Sequence, residues 1–205
     1  MAGSSRTASA GAPVGVLALQ GDFREHIAVL KSLGADAVGV RRPSELAEVS
    51  GLIIPGGESS VMDKLSRLFE LADPLKAAIA DGLPVWGTCA GLIMLADTVL
   101  DGIEGQQSLG GLEISVRRNA FGSQLDSFET DLSIPVVGEP DLHAVFIRAP
   151  IVESVSDTVT TLAALADGRI VAVEQGNLLG TSFHPEMTGD TRFHEYFLRK
   201  VAASR

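Results

Sequence analysis

Cysteine is almost absent from this chain of 205 residues: there is one, Cys89. A single thiol cannot close an internal disulfide, so packing alone must hold the fold, and a reducing cytoplasm suits it. Positive charge is scarce as well, with 16 Lys and Arg against 26 Asp and Glu and a formal net charge of −10. No basic run occurs, which argues against the clustered cations that a nucleic-acid partner demands. Long apolar runs are missing too. Each is cut by Gly, Pro or a charge well before the roughly 18 residues that a bilayer crossing needs, so no membrane span is expected. Cys/His clusters at zinc spacing, P-loops and G-x-G-x-x-G fingerprints are also lacking, so neither metal nor organic cofactor is expected.

What is present is apolar substance: 45% of the residues are hydrophobic and 20% charged. A chain of this length supports one α/β domain that buries roughly 70% of its unfolded surface, and a second domain is not expected. Met1 to Pro13 is rich in Ala, Ser and Gly and reads as a mobile extension. The apolar run behind it, Val14 to Leu19, is too short for a secretory signal. The domain is therefore expected over residues 14–205.

Val14–Leu19, Ala37–Val40, Leu52–Ile54 and Leu83–Trp86 are short and nearly all apolar, as strands buried on both faces of a parallel sheet should be. Between them, Phe23 to Leu33 carries apolar residues at Phe23, Ile27, Leu30 and Leu33 and stops at Gly34, a helix with its terminator. Val61 to Ala80 predicts two helices broken at Asp73-Pro74. This alternation calls for right-handed βαβ units and a single-domain, doubly wound, mostly parallel sheet flanked by helices. The second half differs. Leu112–Arg117, His143–Arg148, Thr158–Ala163, Ile170–Gln175 and Leu178–Phe183 follow one another with only turns between, as meander strands would. Thr191 to Ala203, with Phe193, Phe197 and Val201 spaced by four, predicts a closing amphipathic helix.

Three segments carry chemistry. Gly87-Thr88-Cys89-Ala90-Gly91 sits between a buried strand and a helix in the G-x-C-x-G form of a nucleophile elbow. The sharp turn lifts the sulfur above the sheet edge, leaves no room for side chains at either glycine, and sets the thiol at a helix N-terminus that favours its anion. A cysteine nucleophile needs a base, and His184-Pro185-Glu186 supplies one at the end of a late strand. In an extended segment residues i and i+2 face one side, so Glu186 can hold the His184 imidazole while its other nitrogen meets the sulfur. The third segment, Ile54-Pro55-Gly56-Gly57-Glu58, is a glycine turn with free amides. One amide there, at Gly57, and that of Ala90 could form an oxyanion hole.

Together these segments resemble the class I glutamine amidotransferases, whose triad runs Cys, His, Glu with a G-x-C-x-G elbow and an H-P-E ending. Val16-Leu17-Ala18-Leu19-Gln20-Gly21, Pro55-Gly56-Gly57-Glu58-Ser59, Arg117-Arg118-Asn119-Ala120-Phe121-Gly122 and Phe146-Ile147-Arg148-Ala149-Pro150 are similar to the glutaminase subunits of pyridoxal 5′-phosphate synthases. The likeness covers roughly residues 14 to 200. It implies catalysis by Cys89, His184 and Glu186, glutamine held by Gly56, Gly57, Glu58, Arg118, Ile147 and Arg148, and ammonia passed to a (β/α)₈-barrel synthase subunit in a hetero-oligomer. Ser123 departs from the family's usual arginine before Gln124, and Ser60 stands for the more usual threonine.

Arg118 and Arg148 also make sense independently, since a guanidinium can clamp an amino-acid carboxylate in a bidentate pair. His26, His143 and His194 lack metal-ligand spacing and are read as structural. Three rivals stay open: a glutaminase serving another acceptor such as imidazole glycerol phosphate synthase, a cysteine peptidase or hydrolase on a related sheet, and a non-catalytic regulatory subunit.

Overall fold

The computed structural model describes residues 11–118 and 127–204. Along the chain run β1 (Val14–Leu17), α1 (Phe23–Ser32), β2 (Ala37–Val40), α2 (Pro43–Ala47), β3 (Gly51–Ile54), α3 (Ser59–Leu68), α4 (Ala72–Ala80), β4 (Val85–Thr88) and α5 (Ala90–Leu95). Then come β5 (Ala96–Leu100), β6 (Leu112–Arg117), β7 (Phe128–Leu132), β8 (Leu142–Phe146), β9 (Ile151–Val155), β10 (Thr160–Ala164), β11 (Ile170–Gln175), β12 (Leu178–Thr181) and α6 (Arg192–Ala203).

The order β2-β1-β3-β4-β12-β11-β9-β6-β5 makes one sheet, with β10 joined to β11. Its first five strands are all parallel, as the apolar runs required. The second half does not stand apart as a meander. Antiparallel β11 hands the chain to β12, which turns back and pairs in parallel with β4 at the sheet's centre. β7 and β8 form a separate hairpin that covers one face.

Both faces of the sheet are buried, because alternate residues of each strand face opposite layers. Leu52, Ile54, Val85 and Leu178 meet Leu46, Met62, Leu75 and Leu92 from α2, α3, α4 and α5. Val14, Val16, Ile53, Trp86 and Leu179 meet Leu30 of α1, Phe193, Phe197 and Val201 of α6, and Phe146 of the hairpin. Each such side chain, fully buried, contributes about 1.5–3 kcal/mol before entropy is counted against it. The four-residue spacing of α6 does what it promised: Phe193 and Phe197 are fully buried, and Trp86 stacks on Phe193 at 5.5 Å between centroids.

The break between α3 and α4 falls at Phe69–Leu71, not at Asp73-Pro74. Glu70 takes a left-handed φ of 57° that ends α3, while Asp73 and Pro74 lie in the first turn of α4, where the missing proline N–H costs no bond. Of the extension expected over Met1–Pro13, residues 1–10 lie outside the described residues. The carbonyls of Ala12 and Pro13 accept from the Ser50 hydroxyl at 2.9 and 3.2 Å, so the last of it is pinned to the sheet. No described helix is long and apolar enough to cross a membrane.

Candidate active site

The elbow has the geometry its glycines require. Cys89 adopts φ 48° and ψ −104°, a strained conformation for a residue with a side chain, between the last residue of β4 and the first of α5. A Cβ on Gly91 would overlap the Ile54 carbonyl oxygen, and one on Gly87 would overlap the Gly91 backbone. Both positions are therefore walled by main chain, and Cys89 stands at their crossing with 7% of its surface exposed.

Strand pairing brings the base to it. β12 lies on β4 with Thr181 opposite Thr88, and the Cys89 amide donates to the Thr181 carbonyl at 2.8 Å. His184, 95 residues from Cys89 in sequence, thus emerges beside it. The Glu186 Oε1 atom lies 2.7 Å from His184 Nδ1. The route differs from the expected extended tripeptide: Pro185–Met187 forms a turn of 3-10 helix, opened by the proline, and this curl returns the carboxylate to the ring. Burial works against charge on His184. Its hydrogen bonds to Cys89 and Glu186 and their negative charge outweigh that and hold the imidazole's pKa up at about 10. Both neighbours therefore favour the charged form of the ring.

The glycine turn after β3 faces the same place, but what touches it is different. Gly57 has φ 153°, and a Cβ there would run into the Gln20 side chain. Gln20 Oε1 accepts from the Glu58 amide at 2.8 Å, and the Gly56 carbonyl accepts from the Asp22 amide at 3.1 Å. A Cβ on Gly21, at φ 89°, would overlap the Gly56 carbonyl oxygen. The loop after β1 is thus the outer wall of the turn. Glu58 caps α3, its Oε1 accepting from the Ser60 amide at 3.3 Å and the Ser60 hydroxyl at 3.1 Å.

A cleft opens above Cys89 in two lobes. The larger, about 310 Å³, reaches Gln20, Asp22 and His184. The smaller, about 80 Å³, reaches Ala90 and Arg118. Gly57, Glu58, Cys89, Ile147 and Arg148 line both. Every residue singled out for glutamine thus borders the cleft except Gly56, where an added Cβ would run into the His184 ring. The Ile147 carbonyl lies 3.9 Å from the Cys89 sulfur, and Arg148 turns there at φ 45°. Arg118 donates to Glu58 at 2.8 Å and to Gln106 at 2.9 Å, an internal carboxylate occupying part of the fork that the sequence offered to a ligand.

Residues 16–203 match the model of the SNO glutamine amidotransferase family. The chain belongs to that family. The amidotransferase is 72% identical over 201 residues to "Pyridoxal 5'-phosphate synthase subunit PdxT" of Leifsonia xyli subsp. xyli, covering 98% of each chain. To the protein of that name from Clavibacter michiganensis subsp. michiganensis it is 63% identical, over 98% of this chain and 97% of the other. A crystal structure of a glutamine amidotransferase superposes with a TM-score of 0.86 at 47% identity, covering 92% of this chain and 98% of that one.

Sequence reasoning passed over several residues of the amidotransferase's site. Asp22 Oδ2 stands 3.6 Å from His184 Nδ1, and burial raises the Asp22 pKa although the neighbouring His184 opposes the rise. Nothing in its residue type marked it; only its place after the Gln20-Gly21 strand end could have. Asp22, His184 and Glu186 also bring ligand-type atoms within 4.8 Å of one another. The Nδ1 lone pair that a metal would need is the atom already engaged by Glu186, so the trio works as a hydrogen-bonded group. Arg117 pairs with Asp101 and Glu153 on the surface, away from the cleft. Asn119 to Gln124, including Ser123, lie outside the described residues.

Proposed function

We propose that this amidotransferase is the glutamine-hydrolysing subunit of a pyridoxal 5′-phosphate synthase, and that Cys89, His184 and Glu186 are its catalytic triad. The observation that carries the reading is the His184 imidazole held between Cys89 and the buried Glu186 carboxylate, at the edge of a cleft that Cys89 lines. That arrangement suits a thiolate attacking the side-chain amide carbon of glutamine. The imidazolium then gives its proton to the departing ammonia and a glutamyl thioester remains. His184 next takes a proton from water, which hydrolyses the thioester to glutamate, while Glu186 steadies the ring in both halves. The amides of Gly57 and Ala90, both on the smaller lobe, are the candidates for the oxyanion. On this reading Arg118, Glu58, Ile147 and Arg148 orient the amino acid, Glu58 taking its ammonium and an arginine its carboxylate.

The names borne by the two relatives support pyridoxal 5′-phosphate synthesis over imidazole glycerol phosphate synthesis as the fate of the ammonia. The acceptor on this reading is a (β/α)₈-barrel synthase subunit in a hetero-oligomer, and the reduced state that Cys89 needs fits the cytoplasm. The test is to mix the purified chain with that synthase subunit and glutamine and to follow glutamate and ammonia. Glutamate should appear with the native chain and not with Cys89→Ala, whose melting should match the native protein. Undiminished release by Cys89→Ala would overturn the nucleophile assignment, and no release by the native pair would overturn the activity.

A further inference from the structure

The cycle above uses one oxygen of Glu186. The other, Oε2, is buried with the rest of that side chain and makes no hydrogen bond of good geometry. A buried carboxylate oxygen with nothing to accept from costs free energy and weakens the anion that His184 relies on. A histidine faces it, backed by two further rings. His26 of α1, fully buried, has its Nε2 atom 3.4 Å from Glu186 Oε2 and 3.3 Å from the hydroxyl of Thr88, the residue just before the nucleophile. Behind it, His194 of α6, also fully buried, lies with Nε2 3.0 Å from His26 Nδ1. Trp86 closes the pocket edge-on to both rings, at 5.6 and 4.9 Å.

Two tautomer sets are open to this pair of imidazoles. In one, His194 Nε2–H donates to His26 Nδ1, and His26 Nε2–H is shared between Thr88 and Glu186. Only the lone pair of His194 Nδ1 is then left without a partner. In the other, the proton sits on His26 Nδ1, and a ring lone pair faces the carboxylate oxygen at 3.4 Å. That leaves a buried anion unsatisfied and a buried N–H on His194 idle as well. The first set leaves one weak acceptor bare, the second an anion and a donor, so the first is favoured.

We propose that His26 is a positioning residue for glutamine hydrolysis: as a neutral ring fixed in its Nε2–H form by His194, it donates to the rear oxygen of Glu186. The line thus runs His194, His26, Glu186, His184, Cys89, from α6 and α1 to the cleft. The neutrality of His26 has its own causes. Burial comes first, then the proximity of His194 and His184, and together they drive its pKa well below the ordinary value. The charged groups near it are Glu186, the His184 ring and, on its own helix, Asp22 and Glu25; the other elements present Thr88, Trp86 and His194. Because the ring does not gain a proton of its own, it can only supply one N–H, and the effect on His184 must pass through Glu186.

This inference rests on the proposed triad, so its test includes readouts that need no glutamine. In long-range ¹H–¹⁵N spectra of the full chain, whose four histidines can be resolved, His26 should appear as the neutral Nε2–H tautomer at pH 7. An Nδ1–H form would overturn the proposal without any variant being made. His26→Leu keeps apolar volume and removes the donor. With the synthase subunit present, kcat should fall about tenfold with little change in KM. The basic limb of the kcat/KM profile, where His184 loses its proton, should move to lower pH. Alkylation of Cys89 by iodoacetamide at pH 7 should slow several-fold. His26→Gln, which returns an N–H near the Nε2 position, should restore most of all three. Native kinetics and alkylation in His26→Leu would refute the role while leaving the triad intact. A slowed alkylation in a chain that hydrolyses no glutamine would do the reverse. A general loss of activity that His26→Gln fails to rescue would reduce His26 to core packing.

Discussion

Two glycine turns meet above the sheet, and they are held in opposite ways. In the elbow, the Cβ positions of Gly87 and Gly91 are filled by backbone, that of Gly91 itself and that of Ile54. In the turn after β3, the corresponding space at Gly56 and Gly57 is filled by the tips of side chains, those of His184, Asp22 and Gln20. Main chain cannot retreat without unravelling a strand, whereas a glutamine side chain can rotate at a cost of about 1 kcal/mol. The position of Cys89 is thus fixed by folding itself. The second candidate oxyanion donor is fixed only by what the loop after β1 does.

The sharpest way to break that contrast is to add one methyl group to the elbow. Gly91→Ala should cost more than about 3 kcal/mol and give little folded protein on expression, since neither Ile54 nor α5 can move aside. A soluble Gly91→Ala chain melting near the native temperature would show that the elbow is as yielding as its neighbour. Next in size, Glu186→Gln should reduce hydrolysis roughly a hundredfold without removing it, because the ring loses charge support but keeps a partner. Steady-state kinetics with the synthase subunit would measure this, and native rates would move the third triad role elsewhere.

Gln20→Ala tests the yielding turn. It removes the side chain that packs at Gly57 and accepts from the Glu58 amide, so the fold should persist while glutamine hydrolysis drops by about tenfold. Steady-state rates with the synthase subunit decide it; an unaltered rate would separate the loop after β1 from the oxyanion donor. The smallest effect is on acid stability. His194 is held down to about 4 by burial, and His26 is lowered chiefly for the same reason. The unfolded chain therefore takes up protons that the folded chain refuses, and stability should be lost as pH falls from 6.5 toward 4. His184 runs the other way: its contribution is whole below pH 6.5 and fades as pH rises toward about 10. Urea midpoints at pH 7 and pH 5 would show the acid side; equal midpoints would mean that the two buried rings are open to water.

What the sequence made legible follows from how local each signal was. Leu112–Arg117 and Ile170–Gln175 appear with the expected ends, because an apolar run bounded by turns leaves little choice of register. β7 and β9 went unseen, since Phe128–Leu132 and Ile151–Val155 mix acids and hydroxyls into strands that each cover only one face. Cys89, His184 and Glu186 could be paired from motif and strand order, and they do meet. His26 and His194 could not be tied to them: each lies on a helix beside a glutamate that it does not use, and only the stacking of α1 and α6 on one side of the sheet brings them to Glu186. Arg118 was readable as a cation near the site, but its engagement by Glu58 depends on a contact 60 residues distant.

The strand made last fills the middle of the sheet. β12 enters between β4 and β11, so until Leu178–Thr181 leaves the ribosome, β4 ends in an open row of amides and carbonyls with Trp86 and Val85 uncovered. A nascent or truncated chain that stops short of it holds the thiol at the elbow's address with neither imidazole nor carboxylate beside it. On the proposed triad, reactivity arrives only once β12 is in place, and proteolysis of that strand would leave Cys89 without its base and expose a sheet edge in the same event.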